Sequence, residues 1–199
     1  MIILDVEIKK AILGRGEEPV EGIEYCGGWR DFAGMGVACV CTFDLTTKLS
    51  RVFVDGDLEE LPTYLAGKVT SGFNTRRFDL QLLAANGITI GTEMHYDILE
   101  QIWIAQGLNP DKFVPSTHGG WSLDAVCGST LGVVKSGNGA LAPHWWQLGQ
   151  RGRVIDYCLR DVWLEAQLLQ HIITNRMVRN ASRHVHLVVP PELYARAAA

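Results

Sequence analysis

The chain has 199 residues, 47% hydrophobic and 20% charged, which predicts one domain with its own core and excludes a disordered chain. No apolar run is long enough to cross a bilayer and no signal-peptide pattern stands at the N-terminus, so we expect a cytoplasmic protein with no membrane partner. The net charge of −4 argues weakly against nucleic-acid binding, unless bound cations add positive charge that the sequence does not show.

The predicted elements alternate between strands and helices. Apolar runs and alternating patterns predict strands at residues 1–7, 35–43, 51–54, 68–73 and 184–189, with a long loop at residues 8–34. Helical spacing predicts helices at residues 57–65, 77–85, 98–106, 123–131, 142–148 and 153–174. This order predicts an α/β fold whose first three strands form an antiparallel meander, with the fourth reached through a helix. One domain is expected at residues 1–189, followed by a flexible tail at residues 190–199.

The number of cysteines, five, is odd and there is no CxxC pair, so the sequence suggests neither a disulfide framework nor a zinc ribbon. Cys39 and Cys41 alternate along a predicted strand, so their side chains share a face. We interpret both as small, buried apolar residues.

Two carboxylates stand close together at the end of the first predicted strand. Asp5 and Glu7 are two residues apart, so both side chains project to the same face of the strand. Two neighbouring carboxylates repel each other unless a cation bridges them. By itself, such a pair is more often two solvated acids at an exposed strand end.

The second motif places an acid at the start of a predicted helix. Asn74 follows an apolar strand, and Phe78 and Asp79 come at the start of the helix. A carboxylate in the first turn is favoured by the helix dipole, so Asp79 fits both a structural and a functional interpretation about equally. A third pattern, Tyr157 and Asp161, places a phenol and a carboxylate one turn apart on the longest predicted helix.

Together the three patterns resemble the DEDD exonucleases of the ribonuclease H-like superfamily, in the subgroup with a tyrosine in the third motif. That family has DxE on its first strand, then Nx(2–3)(F/Y)D, then YxxxD. Here these are Asp5-Val-Glu7, Asn74-(x3)-Phe78-Asp79 and Tyr157-(x3)-Asp161, in the family's order. The chain is most similar to bacterial predicted 3′→5′ exonucleases that resemble the proofreading domain of family B DNA polymerases, over residues 1–176. One departure is that Ile8 and Lys9 follow the DxE motif, where many relatives have Thr.

The resemblance implies a ribonuclease H-like mixed sheet, with antiparallel strands 1–3 followed by parallel strands and with flanking helices. It implies that Asp5, Glu7, Asp79 and Asp161 bind two Mg²⁺ or Mn²⁺ ions, Asp79 through ordered water. Oxygen ligands suit these hard cations. Tyr157 is expected to orient the water that attacks the phosphorus. The implied activity is 3′→5′ hydrolysis of phosphodiester bonds, with single-stranded DNA favoured over RNA and DNA repair as the setting. Any polymerase or helicase would be a separate partner chain.

Substrate contacts are less clearly indicated. The resemblance places Asn74 and Phe78 beside the substrate, and Arg76, Arg77 and Lys135 could contact phosphates or could be solvated. Four aromatic side chains are candidates for stacking on unpaired bases, although packing in the core is the better interpretation: Phe73, Trp121, Trp145 and Trp146.

Three alternatives remain. The same fold occurs in endonucleases and ribonucleases with a similar group of acids. A catalytically idle module that binds nucleic acid or a partner protein would keep the fold without turnover. A purely structural α/β domain would have to match three motifs in order by chance.

Overall fold

The structure is a computed structural model that describes residues 1–133 and 139–197. Its centre is a five-stranded mixed sheet with the strand order β3-β2-β1-β4-β5. The strands are β1 Ile2–Ile8, β2 Val37–Asp44, β3 Ser50–Val54, β4 Val69–Gly72 and β5 Met94–Asp97. β1, β2 and β3 are antiparallel, whereas β4 and β5 run parallel to β1. The predicted mixed α/β sheet is thereby confirmed, and its strand order is consistent with a ribonuclease H-like fold.

Helices flank both faces of the sheet. The α-helices are α1 Phe32–Met35, α2 Leu61–Leu65, α3 Asp79–Ala85, α4 Ile98–Ala105, α5 Pro115–His118, α6 Leu123–Leu131, α7 Ala142–Gln147, α8 Arg151–Asn175 and α9 Pro191–Ala197. Short 3₁₀-helices occupy Asp55–Glu60 and Gly139–Leu141, and an antiparallel hairpin joins β6 Met177–Arg179 to β7 His184–His186. Within the described residues, no helix is long and apolar enough to cross a membrane.

β1 is the central strand, and it is buried on both faces. Ile3 faces the core beneath α8, whereas Ile2 and Leu4 face a second core that includes Leu61 and Leu82. A strand covered on both sides needs a continuous apolar run, which explains why the N-terminus is so apolar. Its two acids, Asp5 and Glu7, are therefore exceptions in an otherwise apolar strand.

Glycine is required where β4 ends beside β1. A Cβ atom on Gly72 would lie 2.7 Å from the carbonyl oxygen of Leu4, and it would overlap the methyl group of Thr75. Only a residue without a side chain allows the two strands to approach this closely. The chain then turns at Asn74, which has a φ of 65°, a left-handed conformation that asparagine tolerates better than most residues.

Several elements differ from the sequence predictions. β5 is absent from the predicted elements because polar His95 and Asp97 interrupt its apolar pattern; in the sheet, His95 Nδ1 lies 2.8 Å from the Thr70 hydroxyl. The predicted loop at residues 8–34 includes the start of α1, and α5 and β6 are also additional elements. Residues 191–197, for which a flexible tail is predicted, form α9, and its Leu193 is fully buried in the core beside α8.

Candidate active site

Two carboxylates of β1 and one of α8, far apart in the chain, meet at the end of β1. Asp5 and Glu7 lie on β1, and Asp161 lies on α8, which crosses this face of the sheet. One carboxylate oxygen from each residue lies within 4.8 Å of the other two. Glu7 and Asp161 are buried, and Asp5 is partly buried. The alternation of side chains along a strand explains why Asp5 and Glu7 face α8 together.

The strand geometry changes directly after these acids. Glu7 pairs with Cys39 on β2, whereas the next residue, Ile8, pairs with Val37, so one residue of β2 is left out of the pairing. Such a bulge bends the strand that carries the extra residue, which here is β2, and such bulges often lie next to active sites. It separates the regular part of β1, which positions Asp5 and Glu7, from the loop that follows.

Asp79 is the fourth acid, and it is fixed by a backbone contact. It is the first residue of α3, and its Oδ1 atom accepts a hydrogen bond of 3.0 Å from the backbone N–H of Val6, between the two acids of β1. Burial, followed by the nearby Asp5 carboxylate, raises the pKa of Asp79 well above its ordinary value. Asp79 thus lies beside the three-carboxylate group without belonging to its closest contacts.

Tyr157 lies one helical turn before Asp161 on α8 and is buried. The ring of Trp145 packs against it edge to face, with 6.2 Å between the ring centroids. A Cβ atom on Gly139 would lie 3.1 Å from the tyrosine hydroxyl oxygen. The backbone of Gly139 therefore passes close to this hydroxyl and limits the space around it.

All five residues line one open cavity of about 330 Å³. This is at the small end of the range for ligand pockets. The rest of its wall is mostly apolar or aromatic and comprises Val6, Ile8, Ile12, Trp29, Phe73, Asn74, Phe78, Gly139, Ala140 and Pro143. The structure therefore brings Asn74 and Phe78 to the acids, as well as Phe73. Trp121 and Trp146 are instead buried in the core.

Trp29 is a lining residue that the sequence analysis did not identify as a functional candidate. Its side chain is 70% exposed, which is unusual for tryptophan. Its ring packs edge to face against Phe78, with 6.4 Å between the ring centroids. The available signal was a tryptophan in a polar, glycine-rich loop, directly after Gly27 and Gly28. A large aromatic side chain at such a position has little core to enter.

Arg76 and Arg77 lie in a second cavity, of about 290 Å³, which shares Asn74 with the first but contains none of the four acids. The Arg76 guanidinium is 3.0 Å from the Glu100 carboxylate. Arg77 donates a hydrogen bond to the carbonyl of Pro110 and lies over the ring of Trp103. The structure does not bring these two arginines to the acids. The third predicted phosphate contact, at position 135, lies outside the described residues.

Asp97 explains why the two arginines point away from the acids. Its buried carboxylate accepts hydrogen bonds from the backbone N–H groups of Asn74 and Arg76, and it also caps the start of α4. The turn before α3 is thereby tied to β5 rather than to β1. Burial raises the pKa of Asp97 although these N–H groups favour the charged carboxylate.

The chemistry of the three-carboxylate group fits hard divalent cations. Its donors are all oxygen atoms, the ligands that Mg²⁺ and Mn²⁺ prefer, and no sulfur or imidazole belongs to the described group. Three carboxylates so close together repel one another, and a bound cation would reduce this repulsion. The residues present are therefore suitable for holding such ions.

No protein-family model matches the chain, and no curated protein matches its sequence. Among solved structures, the chain is similar to the family B DNA polymerase from the hyperthermophilic archaeon Pyrobaculum calidifontis. The TM-score is 0.57 and the identity is 15% over 86% of this chain. The chain spans only 24% of the length of that polymerase. At this identity, the likeness shows the fold alone.

Proposed function

We propose that this protein is a metal-dependent 3′→5′ exonuclease that removes nucleotides from the 3′ end of single-stranded DNA. The observation behind the proposal is the meeting of Asp5, Glu7 and Asp161 beside Asp79 and Tyr157 in one open pocket. The order and spacing of these residues resemble the DEDD exonucleases. A fold similar to that of a DNA polymerase chain supports nucleic acid as the partner.

The proposed cofactor is a pair of Mg²⁺ or Mn²⁺ ions. Asp5, Glu7 and Asp161 would hold them, and Asp79 would act through ordered water, as the resemblance implies. When bound, two such ions activate a water molecule and neutralise charge on the phosphate. The protein contributes a rigid arrangement of ligands, since β1 and α8 are both packed in the core.

Tyr157 is proposed to orient the attacking water through its hydroxyl group. A Cβ atom on Gly139 would lie 3.1 Å from this hydroxyl, so a side chain there would crowd it. The packing of Trp145 against the phenol ring restricts its rotation. A fixed hydroxyl can hold a water molecule in one direction, which lowers the entropy cost of reaching the transition state.

The aromatic wall of the pocket is proposed to bind the terminal base. Trp29 is exposed and packs edge to face against the partly buried Phe78, and Phe73 also lines the cavity. Bases stack on aromatic side chains only when they are unpaired, which favours single-stranded ends. Arg76 and Arg77 have no part in this proposal, because they line the other cavity.

The test uses single-stranded DNA and RNA labelled at the 5′ end, incubated with Mg²⁺, Mn²⁺ or EDTA. We expect a ladder of progressively shorter labelled DNA products, absent with EDTA and absent with the Asp161→Ala variant. The matched control is Asp156→Ala, because Asp156 is an exposed acid on the same helix that pairs with Arg160.

Circular single-stranded DNA separates exonuclease from endonuclease action, since a circle has no 3′ end. Cleavage of the circle would favour an endonuclease on this fold. Preferential degradation of RNA would favour a ribonuclease. The absence of cleavage with either metal, together with retained binding in gel shifts, would favour a binding module and would overturn the proposal.

A further inference from the structure

Three buried thiols form a compact group next to the carboxylates. Cys39 and Cys41 lie two residues apart on β2, and Cys158 reaches them from α8. The three sulfur atoms lie within 4.8 Å of one another, and each side chain is fully buried. The two remaining cysteines, Cys26 and Cys127, form no disulfide and lie outside this group.

The position of this group follows from the register of the sheet. Cys39 is the cross-strand partner of Glu7, and Cys41 is the partner of Asp5. The thiol of Cys158 donates a weak hydrogen bond of 3.5 Å to the carbonyl oxygen of Asp5. The thiols and the carboxylates are therefore two neighbouring groups of ligands beneath the same helix, one soft and one hard.

The spacing of the sulfur atoms suits a shared central ion. Bonds of about 2.3 Å to one centre place three sulfur atoms roughly 3 to 4 Å apart, depending on how flat the arrangement is. The observed limit of 4.8 Å requires only small side-chain movements to reach this geometry.

The number of thiol ligands and their charge limit which ions this group can bind. Structural zinc almost always has four ligands, whereas the described group offers three. A complex of three thiolates with a divalent ion would leave a net negative charge buried beside Asp5, which is unfavourable. A trivalent ion gives a neutral complex. Arsenous acid, As(OH)₃, and three thiols yield As(SR)₃ and three water molecules, so that three As–S bonds replace three As–O bonds.

We propose that Cys39, Cys41 and Cys158 form a binding site for one trivalent thiophilic ion of the arsenic(III) type, distinct from the carboxylate site. Occupation of this site links β2 to α8 through the ion. The inference is independent of the nuclease proposal, because it concerns other residues and other chemistry.

The test uses the Cys26→Ala/Cys127→Ala double variant, in which the three proposed ligands are the only cysteines left. This double variant, in its folded state, is kept reduced with a phosphine and incubated with arsenite. We expect native mass spectrometry to show one arsenic per chain with the loss of three protons. X-ray absorption at the arsenic edge should show three sulfur neighbours and no oxygen. Excess Mg²⁺ should not displace the arsenic.

The same measurements on Cys158→Ala in this background should show no bound arsenic. Circular dichroism verifies that this variant is folded, and Cys39→Ala serves in its place if it is not. Three results would each overturn the proposal: no arsenic on the double variant, fewer than three sulfur neighbours, or arsenic retained without Cys158. Tighter binding of Zn²⁺ than of arsenite to the same thiols would contradict the charge argument.

Discussion

The two cavities that share Asn74 differ in how their charges are arranged. In the first, Asp5, Glu7 and Asp161 bring carboxylates of the same sign close together. In the second, the Arg76 guanidinium lies against the Glu100 carboxylate, so opposite charges meet. The second arrangement stabilises the fold without any ligand. The first brings like charges together, and a bound cation would reduce their repulsion.

Two buried aspartates illustrate the same difference. Asp97 accepts backbone hydrogen bonds at two helix starts, and burial is the main cause of its raised pKa. The pKa of Asp79 is raised by burial and, in addition, by the Asp5 carboxylate. One carboxylate is therefore explained by local structure, whereas the other is placed next to a second negative charge. The contrast distinguishes a capping residue from one whose carboxylate lies among other acids.

The largest effect is expected from removing a carboxylate at the first cavity. Asp5→Ala should lower turnover more than about 100-fold, since even a change next to a metal ligand typically costs 10- to 100-fold. The measurement is the initial rate on labelled single-stranded DNA with Mg²⁺. The fold should survive, because the change also removes repulsion from the group. Turnover equal to that of the wild type would contradict the assignment of Asp5 as a ligand.

Tyr157→Phe should have a smaller effect, a loss of roughly 10- to 100-fold in kcat, because it removes a hydroxyl that orients water but no metal ligand. The affinity for Mn²⁺, measured by calorimetry, should stay unchanged. A weakened Mn²⁺ affinity would show that the hydroxyl contributes to the metal site, contrary to the proposed role.

Trp29→Ala should raise KM about 10-fold and leave kcat within about twofold, since stacking on one base is worth about 1 to 3 kcal/mol. Trp163→Ala is the matched control, because Trp163 is also an exposed tryptophan, at 57%, but does not line the cavity. Equal effects of both variants would remove the argument for a base-stacking surface at Trp29.

The two regions should respond to pH in opposite directions in the metal-free protein. The folded-state pKa of Asp79 lies above its ordinary value of 3.8, so its contribution to stability falls as pH rises from about 4 through that folded pKa. Burial lowers the pKa of His95 beside the second cavity from 6.5 to about 4, so its contribution is lost as pH falls through that range.

Urea unfolding across pH in EDTA measures both slopes. Asp79→Asn, which keeps an oxygen for the N–H of Val6, should remove the loss of stability toward high pH. His95→Gln should reduce the loss toward low pH. If Asp79→Asn left the high-pH slope unchanged, the Asp79 carboxylate would not be the cause of the loss of stability at high pH.

The smallest effect is expected from Arg76→Ala. The pair with Glu100 is partly exposed, so its loss should cost at most about 1 kcal/mol in unfolding free energy. Turnover should stay within about twofold, because Arg76 lies outside the acid cavity. A loss of turnover comparable to that of Tyr157→Phe would show that the second cavity contacts the substrate.

Much of the fold could be predicted from sequence, because its main elements have strong local patterns. β1 is a continuous apolar run, and α8 has a long apolar stripe at helical spacing. β5 could not be predicted in the same way, since its His95 and Asp97 are accommodated by partners on other elements. The burial of Leu193 in α9 likewise depends on contact with α8.

The site could be predicted as far as its motifs extend. The resemblance to the DEDD exonucleases pointed to Asp5, Glu7, Asp79, Tyr157 and Asp161, and the structure brings all five to one cavity. Trp29 was not identified, because its place at the cavity depends on how residues 8–34 fold back toward Phe78. Proximity in sequence to Asp79 suggested that Arg77 could contact phosphates at the site. Arg77 instead lines the second cavity, although it is only two residues from Asp79. The grouping of Cys158 with Cys39 likewise required the register of α8 against the sheet.

Gly72 has a consequence for how this sequence can change over evolution. The spacing between β1 and β4 depends on the absence of a side chain at this one position, since a Cβ atom there would lie 2.7 Å from the carbonyl oxygen of Leu4. Any substitution would push apart the strand that bears Asp5 and the one that leads to Asp79. If the positions of the acids are under selection, Gly72 would be under selection as well, although it does not line their cavity. It would be conserved because it sets the spacing between β1 and β4.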